Sequence, residues 1–303
     1  MSQVKPVDLS IIILAYKSKE HLKVLLPSVF SSEEISFDDN QLAKYLAEVI
    51  VVDNGSGDGT IEWLSQLVSQ LASQPISIIA NANIGFSAGN NVGIKQAKGK
   101  YILLLNPDTK LELNTLKSML DFMELRPEVG ISGCKLIKGN GKLDLACRRR
   151  FPNPLSAFKR LFLGDNTDYN YSNISADQEM EVDSVVGAFM MVRKSVLEKV
   201  GLLDEDFFMY GEDIDLCWRV KEAGYKVWYY PKVVTHHYKG ESSKKVPFRG
   251  LKWFHDAMWI FYKKHYRSKY PFILNWLVFL GIYGRLLILL VFNMFKAQPR
   301  VSK

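Results

Sequence analysis

The sequence predicts an α/β protein in which helices flank a mostly parallel central sheet. Two observations support this fold class: continuous apolar runs at residues 49–52 and 101–105, and helical patterns that alternate with such runs over residues 1–130. A continuous apolar run of this length is typical of a strand that is buried on both faces of a parallel sheet. Strand and helix patterns that alternate at this spacing predict βαβ units.

The predicted elements are bounded by residues that cap helices or favour turns. Thr60 or Asp58 caps the second helix, Pro127 follows the fourth, and Gly224 ends the fifth. Strands are predicted at residues 9–14, 49–52, 76–80, 101–105, 187–192 and 226–230, and helices at residues 19–30, 60–71, 86–98, 111–125 and 213–223.

Composition limits the class of protein. With 303 residues, of which 48% are hydrophobic, the chain can bury one large core or two modest ones. Its three cysteines show no CxxC spacing, which argues against a disulfide framework and a zinc site and suits a reducing cytosol. Residues 4–10 contain lysine, proline and aspartate, so no signal peptide is predicted.

Three short acidic segments are the most informative feature of the sequence. Asp53 and Asp108 each follow an apolar strand, and a third segment, Glu212 to Asp215, opens a helix. Ligands of parallel α/β sheets bind just beyond the carboxyl ends of the strands. We therefore expect Asp53 and Asp108 at the sheet edge where a nucleotide would bind.

Two glycine-containing segments beside these acids are candidates for nucleotide binding. Residues 53–60 contain three glycines that permit tight turns, and residues 83–91 place glycines at a helix start, where backbone N–H groups can approach a ligand. A turn with a helix cap explains the first segment equally well, and close packing of a helix on the sheet explains the second. No GxGxxG sequence follows the first strand, which argues against a dinucleotide-binding domain.

Asp108 ends the sequence Asn106-Pro107-Asp108 and is a candidate metal ligand. A hard oxygen ligand at this point could hold Mg²⁺ or Mn²⁺ against a diphosphate, although a plain turn is the alternative. His236 and His237 follow the last predicted strand. One of these imidazoles could complete the metal site, and a packing or surface role is the alternative.

The acids Glu212, Asp213 and Asp215 stand in the first turn of a predicted helix. Helix capping is their default role, because the helix macrodipole stabilises negative charge there. However, three acids crowded beside the apolar residues 207–210 can raise one pKa into the range that suits a general base.

Taken in order, these motifs resemble the family-two inverting glycosyltransferases, and within them the bacterial rhamnosyltransferase-like branch. The resemblance implies the GT-A nucleotide-diphospho-sugar transferase fold, with a mostly parallel central sheet flanked by helices and a helical C-terminal tail. It covers about residues 8–268, through the segments at residues 10–16, 51–60, 83–93, 104–109, 186–192, 208–219 and 237–243.

The resemblance assigns roles to residues at matching positions. Asp213, with Glu212 beside it, matches the catalytic base, and Asp108 and His237 match ligands of Mg²⁺ or Mn²⁺. Asn106 departs from the family's DxD motif, in which aspartate stands at that position, and this lowers the expected metal affinity. The matching donor-binding residues are Ala15, Tyr16, Asp53, Asn54, Asn83, Gly85, Asn90, Asn106 and Asp108.

Residues for acceptor binding are predicted in the second half of the chain. Arg148 and Arg149 precede a loop-rich stretch and could clamp the diphosphate of a lipid-linked acceptor, although a solvated basic face explains them equally well. Gly187 and Trp218 complete this set of candidates.

The predicted function is transfer of a sugar, with rhamnose as the best candidate, from a dTDP- or UDP-linked donor to a hydroxyl of a glycan or lipid-linked glycan in surface polysaccharide or lipopolysaccharide synthesis. The sequence leaves two other classes of protein as alternatives. A nucleotidyltransferase would need a glycine- and arginine-rich phosphate loop after the first strand, and residues 15–18 are not one. A non-catalytic nucleotide-sugar-binding protein is supported only by Asn106.

The last part of the chain is predicted to be a basic, aromatic, helical tail. Residues 239–303 contain 13 Lys or Arg against two acids, within a net charge of +7. Residues 272–292 are mostly apolar and long enough for a membrane helix. Lipid is therefore favoured over nucleic acid as the partner of this tail, and a hairpin packed on the protein or on a second subunit of a homodimer is the alternative.

The predicted organisation has two parts. A GT-A catalytic domain covers residues 1–240, with a nucleotide-binding half at about 1–130 and an acceptor-binding half at about 131–240. The tail at residues 241–303 would hold a cytoplasmic enzyme at the inner face of the cell membrane, either peripherally or as an anchor.

Overall fold

Ten strands form one sheet in the part of the chain that the structure describes. A computed structural model of the protein describes residues 6–37, 43–70, 76–159, 163–165, 167–238 and 247–295. The order across the sheet is β2-β3-β1-β5-β9-β7-β10-β6, with β4 also beside β3 and β8 beside β10. The strands are β1 (Leu9–Ala15), β2 (Ile35–Ser36), β3 (Tyr45–Asn54), β4 (Ile76–Asn81), β5 (Tyr101–Leu105), β6 (Thr109–Leu111), β7 (Val129–Lys138), β8 (Met180–Glu181), β9 (Phe189–Arg193) and β10 (Lys226–His237).

Helices pack apolar side chains against this sheet. Leu22, Leu116 and Leu216, from three different helices, belong to the same buried cluster as the strand residues. The α-helices are α1 (Lys19–Phe30), α2 (Thr60–Gln70), α3 (Phe86–Gln96), α4 (Thr115–Leu125), α5 (Pro154–Phe158), α6 (Lys194–Val200), α7 (Glu212–Glu222), α8 (Pro247–His265) and α9 (Phe272–Met294), and short 3₁₀ helices lie at Leu145–Cys147 and Arg267–Lys269.

The predicted parallel strands form one half of the sheet. β3 and β5 lie on either side of β1 and run parallel to it, with Ala15 opposite Asp53. β1 and β5 are buried along their whole length, which explains why they read as continuous apolar runs. The carboxyl ends of three strands therefore meet at one edge, where Asp53 ends one strand and Asp108 follows another. The predicted α/β fold with a mostly parallel sheet is confirmed.

The other half of the sheet differs in places from the prediction. β9 runs antiparallel between β5 and β7. The prediction missed β7, because glycines and lysines interrupt its apolar pattern. The helix predicted at residues 111–125 begins only at Thr115, because β6 pairs with β10 just before it. β10 continues past its predicted end to His237, through a shift in register between Tyr230 and Val234.

The last two helices lie beside the loop that precedes α7. Phe207 and Ile214 form a second apolar cluster with Ala257 and Phe261 of α8. By length and composition α9 could cross a membrane, with a mean hydropathy of 2.1. Residue 71 of the second predicted helix, residues 239–243 of the histidine motif and the tail residues 241–246 and 296–303 lie outside the described residues. The division into domains at residues 1–240 and 241–303 stays a prediction.

Candidate active site

Asp53 offers a buried oxygen at the carboxyl end of β3. Its Oδ2 accepts a hydrogen bond from the backbone N–H of Ser56 at 3.1 Å, which fixes the turn that follows the strand. The N–H of Lys17 donates to the Ser56 hydroxyl at 2.9 Å and so joins the loop after β1, which begins at Tyr16, to this turn. Among the described residues, Asp53 Oδ1 has no hydrogen-bond partner although it is buried. An unpaired buried acceptor is costly, so this oxygen is suited to accept from a ligand N–H or hydroxyl.

The side chain of Asn54 holds the segment before α3 in place through hydrogen bonds. Its side-chain amide donates to the Gly85 carbonyl oxygen at 3.1 Å and to Asn83 Oδ1 at 3.3 Å, and its Oδ1 accepts from the Ile84 N–H at 3.2 Å. Because these bonds engage both ends of the amide, the position of Asn54 fits a supporting role better than the predicted contact with the donor. Asn83 itself is exposed.

Gly85 is held against the loop that precedes α7. Its φ angle is +96°, which favours glycine, and a side-chain carbon there would lie 2.8 Å from Phe208. The N–H of Phe86 donates to the Phe208 carbonyl oxygen. Asn90 is buried in α3, where its side-chain amide donates to the Phe86 carbonyl oxygen at 2.9 Å. The segment predicted to bind the donor, residues 83–91, therefore contacts the loop before α7 through Phe208.

Asp108, His237 and Asp144 form a row in which the His237 imidazole lies between two carboxyl groups. His237 Nε2 lies 3.4 Å from Asp108 Oδ1, and its Nδ1 lies 3.1 Å from Asp144 Oδ2. Burial opposes ionisation of Asp108, but the hydrogen bond and charge of His237 hold its pKa below the usual range. Burial also lowers the pKa of His237, but the two carboxylates outweigh it and raise that pKa. Two of these side chains, Asp108 and His237, are the predicted metal ligands.

Two adjacent residues, Gly187 and Ala188, connect this row to the third acidic segment. The N–H of Asn106 donates to the Ala188 carbonyl oxygen at 3.0 Å, and the N–H of Gly187 donates to Asp213 Oδ2 at 3.2 Å. Neighbouring peptide groups thus touch both Asn106, two positions before Asp108, and Asp213. The second and third acidic segments are therefore linked through the backbone of Gly187 and Ala188, and the roles predicted for their acids stay predictions.

Arg149 pairs with Asp213 in the interior. Arg149 Nη2 donates to Asp213 Oδ2 at 2.8 Å and to the Val185 carbonyl oxygen at 2.6 Å. Asp213 Oδ1 accepts from the N–H of Ile214 at 2.8 Å. Both charged side chains are at most one-tenth exposed. The buried pair therefore fixes the position of the Asp213 side chain beside Val185.

Glu212 differs sharply from its neighbour Asp213. Burial, followed by the negative charge of Asp213, raises the pKa of Glu212 to about 8. Its Oε2 is buried with no hydrogen-bond partner among the described residues. The two adjacent carboxyl groups thus have different environments: Asp213 is paired with Arg149, whereas Glu212 has a raised pKa and no cationic partner among the described residues. Adjacent carboxyl groups in such different environments commonly mark acid–base sites.

The third acid of this segment, Asp215, faces α8 instead of the site. It accepts from Arg219 at 2.8 Å and from His265 at 2.8 Å, and Lys264 Nζ lies 2.8 Å away. Burial opposes its ionisation, but the hydrogen bonds from His265 and Lys264 and the charge of Arg219 lower the pKa of Asp215 to about 2. This side chain fastens the C-terminal helices to α7.

Two predicted acceptor-binding residues have other partners in the structure. Arg148 is 2% exposed, and its guanidinium donates to the carbonyl oxygens of Tyr171, Ile174 and Ser175. Trp218 packs at 4.6 Å from Phe151 and contacts residues of α8. Arg148 thus holds a loop and Trp218 packs against a helix, and neither observation supports the acceptor role predicted for these positions. Arg149 and Gly187, in contrast, both contact Asp213.

Sequence reasoning missed two residues of the site. Asp144 stands in a loop without a motif, and nothing near it in the sequence points to His237, which lies 93 positions away. Phe208 lies within the apolar residues 207–210, and the sequence does not predict its contact with Gly85. Its contact follows from the left-handed backbone at Gly85, which a sequence pattern does not reveal.

Comparisons with known proteins agree with this geometry. Residues 10–201 match the sequence profile of glycosyl transferase family 2. Rhamnosyltransferase WbbL of Escherichia coli (strain K12) is 28% identical over 251 residues, which cover 80% of this chain and 88% of that protein. The N-acetylglucosaminyl-diphospho-decaprenol L-rhamnosyltransferase of Mycobacterium tuberculosis (strain H37Rv) is 24% identical over 286 residues, 88% of each chain.

Solved structures share the fold. The mannosyltransferase PcManGT from Pyrobaculum calidifontis, in complex with GDP-Man and Mn²⁺, aligns with a TM-score of 0.60 and 15% identity over 97% of this chain and 79% of that one. TarS of S. aureus aligns with a TM-score of 0.58 and 16% identity over 92% of this chain but only 43% of that chain. Both are GT-A glycosyltransferases. With the family profile covering most of the catalytic part, the chain belongs to glycosyltransferase family 2 and is a glycosyltransferase.

Proposed function

We propose that the protein transfers a hexose, with rhamnose as the best candidate, from a dTDP- or UDP-linked donor to a hydroxyl of a glycan or lipid-linked glycan in surface polysaccharide or lipopolysaccharide synthesis. The link through Gly187 and Ala188 carries this proposal, because their adjacent peptide groups contact both Asp213 and Asn106, two positions before the predicted metal ligand Asp108. The two rhamnosyltransferases among the relatives support the choice of sugar. Family membership favours this enzyme over a nucleotidyltransferase or a non-catalytic binder.

The donor set at Asp108 and His237 fits a divalent cation such as Mg²⁺ or Mn²⁺. It combines a carboxylate oxygen with an imidazole nitrogen, and Asp144 contacts the other ring nitrogen, as carboxylates that orient metal-binding histidines commonly do. Bound cation would supply positive charge against the leaving diphosphate. Asn106 brings an amide in place of a carboxylate, so the site carries less negative charge than a DxD pair.

Asp213 is the base of the proposed reaction. It accepts the proton of the acceptor hydroxyl, whose oxygen attacks the anomeric carbon from the side opposite the departing nucleoside diphosphate. The single displacement inverts the anomeric centre. Glu212, beside it, has a pKa raised by burial, which favours the protonated form of that carboxyl group.

We further propose that the enzyme works at the cytoplasmic face of the cell membrane. The support is the single apolar helix α9, together with the excess of cations in residues 239–303. A lipid-linked acceptor would then be within the enzyme's reach. Neither a nucleic acid nor a homodimer is part of this proposal.

The unpaired oxygen of Asp53 predicts a specific loss in donor binding. In Asp53→Asn, the hydrogen bond with Ser56 can persist, but the free oxygen is replaced or turned away. Because a hydrogen bond to a charged group contributes roughly 1.5–3 kcal/mol, we expect dTDP or UDP to bind about tenfold to a hundredfold more weakly. Thermal shift with a panel of nucleotides and nucleotide-sugars, each with and without Mn²⁺ or Mg²⁺, measures this.

The matched control is Glu62→Ala, which removes an exposed carboxylate in the first turn of α2. The melting temperature of Glu62→Ala should rise with the same ligands, and by the same amount, as that of the native protein. A native protein that responds to no member of the panel would contradict the donor site. An unchanged response of Asp53→Asn would remove only Asp53 from it.

The contact between Asp144 and His237 predicts an effect on metal affinity. Asp144→Asn removes the charge that orients the ring, and loss of such a partner typically lowers metal affinity about 10- to 100-fold. Titration calorimetry with Mn²⁺ in the presence of the nucleoside diphosphate measures this. Asp177→Asn, an exposed carboxylate paired with Lys135, is the control and should bind as the native protein does. Equal affinity in Asp144→Asn would leave Asp144 only its role at the start of a 3₁₀ helix.

A further inference from the structure

The outward face of α9 is apolar along the whole helix. Within residues 272–294, Arg285 is the only charged residue. The large apolar side chains that point outward recur at helical spacing, and each is about half exposed or more. They are Phe272, Ile273, Trp276, Leu277, Leu280, Leu287, Ile288, Val291, Phe292 and Met294. A contiguous apolar face of this size marks a surface that is covered by another phase or partner.

The polar side chains of α9 point the other way, toward α8. The hydroxyl of Tyr262 donates to Asn275 Oδ1 at 2.6 Å, and Tyr283 donates to Asp256 at 3.3 Å. Arg285 donates to His255 Nε2 at 2.9 Å. These contacts are spread along both helices in opposite order, so α8 and α9 form an antiparallel hairpin.

The ring of His255 is oriented to accept a hydrogen bond from Arg285. Its Nδ1 donates to the Leu251 carbonyl oxygen at 2.8 Å, so that Nε2 remains the acceptor. Burial, together with the charge of Arg285, lowers the pKa of His255, and the neutral ring can accept from the guanidinium. The one charge of α9 thus has a partner within the hairpin and does not face outward.

The first helix of the hairpin is fastened to the catalytic body. Lys264 Nζ lies 2.6 Å from Asp204 and 2.8 Å from Asp215, and His265 donates to Asp215. The ring of Trp253 stacks on Phe208 at 4.6 Å. Because these contacts hold α8, the hairpin cannot turn away from the body without breaking them.

These contacts distinguish between two arrangements of α9 at a bilayer, one in which it crosses the membrane and one in which it lies in the membrane plane. If α9 crossed the membrane with α8 attached, Lys252, Asp256 and Lys263 on α8 would be drawn toward hydrocarbon. If α9 crossed alone, Arg285 would lose His255 and lie near the bilayer centre, where a charged side chain is costly. A helix that lies in the membrane plane keeps every one of these contacts and still buries its apolar face.

The charges beside the hairpin turn indicate which surface it meets. Lys263, Arg267 and Lys269 are exposed around the turn between α8 and α9. Cations beside an apolar face are attracted to anionic headgroups. Two copies of the chain that met through this face would bring like charges together around the apolar contact, which disfavours a second copy as its partner.

We infer that the α8–α9 hairpin lies in the plane of an anionic membrane surface, with the outward face of α9 in the headgroup and acyl boundary and both of its ends on the same side of the bilayer. This inference rests on the proposed membrane association and deepens it. It also sets the active site near the lipid, because Phe208 contacts both Trp253 of the hairpin and Gly85 of the donor segment. A lipid-linked acceptor could then be used without leaving the bilayer.

The sidedness of the two ends of α9 tests the inference directly. In the 303-residue chain, with its three buried cysteines replaced by alanine, Ser268→Cys and Phe295→Cys place single thiols just beyond the two ends of α9. An impermeant maleimide should label neither in intact spheroplasts and both in inside-out vesicles. Labelling of the two ends from opposite sides would overturn the in-plane arrangement and leave membrane association intact.

Vesicle flotation tests the surface itself. The native chain should float with vesicles of phosphatidylcholine and phosphatidylglycerol, and less with phosphatidylcholine alone. Leu280→Asp and Leu287→Asp should each weaken this binding roughly tenfold or more, because each loses the burial of one leucine. Leu125→Asp is the matched control, since Leu125 is 82% exposed on α4 and far from the hairpin, and it should float as the native chain does.

A failure of the membrane inference can be distinguished from a failure of the proposed sugar transfer. A chain that does not float, and that is a dimer by light scattering until Leu280→Asp or Leu287→Asp makes it a monomer, would assign the apolar face to a second copy and overturn the inference. A monomer that does not float would overturn membrane association as a whole. In both cases the nucleotide and metal titrations would still report on sugar transfer independently.

Discussion

Asp213→Asn is expected to lower turnover about 10²–10⁴-fold, the usual contribution of a general base, while the donor nucleotide still binds. Asparagine keeps the size of the side chain but cannot take up a proton at neutral pH. In the native protein, Asp213 accepts from Arg149, Gly187 and Ile214. A carboxylate has about four positions for acceptance, so one remains for the acceptor hydroxyl.

The measurement is release of nucleoside diphosphate from dTDP- and UDP-sugars in the presence of lipid-linked acceptors, combined with thermal shift by the nucleotide. Asp206→Asn is the control, because it removes an exposed carboxylate from the loop before α7. Its turnover should equal that of the native protein. Near-native turnover of Asp213→Asn, with the fold intact, would exclude Asp213 as the base and direct attention to Glu212.

The parts of the site that could be predicted are those fixed by strand ends. Asp53 ends β3 and Asp108 follows β5, and the apolar runs before them already identify both strands as buried. Once the strands are parallel, their carboxyl ends must share one edge of the sheet. The placement of both acids therefore follows from the local sequence together with one topological rule.

The parts that could not be predicted depend on contacts between distant loops. Arg148 and Arg149 are adjacent, and an extended backbone at Arg148 sends their side chains to opposite sides. One guanidinium closes a loop on backbone carbonyl oxygens, and the other pairs with Asp213, 64 positions away. The sequence predicts both at the acceptor site, because it does not reveal the extended backbone that separates their side chains. Asp144 and His237 present the same difficulty, since only the folded chain brings them together.

Arg149→Met is expected to destabilise the protein strongly, by roughly 3–5 kcal/mol, because it leaves a buried carboxylate without its cation. Asp213 is 5% exposed, so water cannot replace the guanidinium. Methionine is similar in length and apolar, which limits the loss of packing. Unfolding in urea, followed at constant pH, measures the change in the free energy of unfolding.

The double variant Arg149→Met with Asp213→Asn separates the charge from the packing. If Arg149 serves to neutralise Asp213, removing that carboxylate should restore much of the stability that Arg149→Met loses, because no unpaired buried charge then remains. Arg148→Met is the matched control: it also removes a buried arginine, but that side chain bonds to backbone carbonyl oxygens, so Asp213→Asn should not rescue it. Additive losses in the Arg149 pair would show that the ion pair contributes little to stability, and the N–H groups of Gly187 and Ile214 would then be the main partners of Asp213. Rescue confined to Arg149 would instead identify this arginine as the residue that allows a carboxyl group to stand at this buried position.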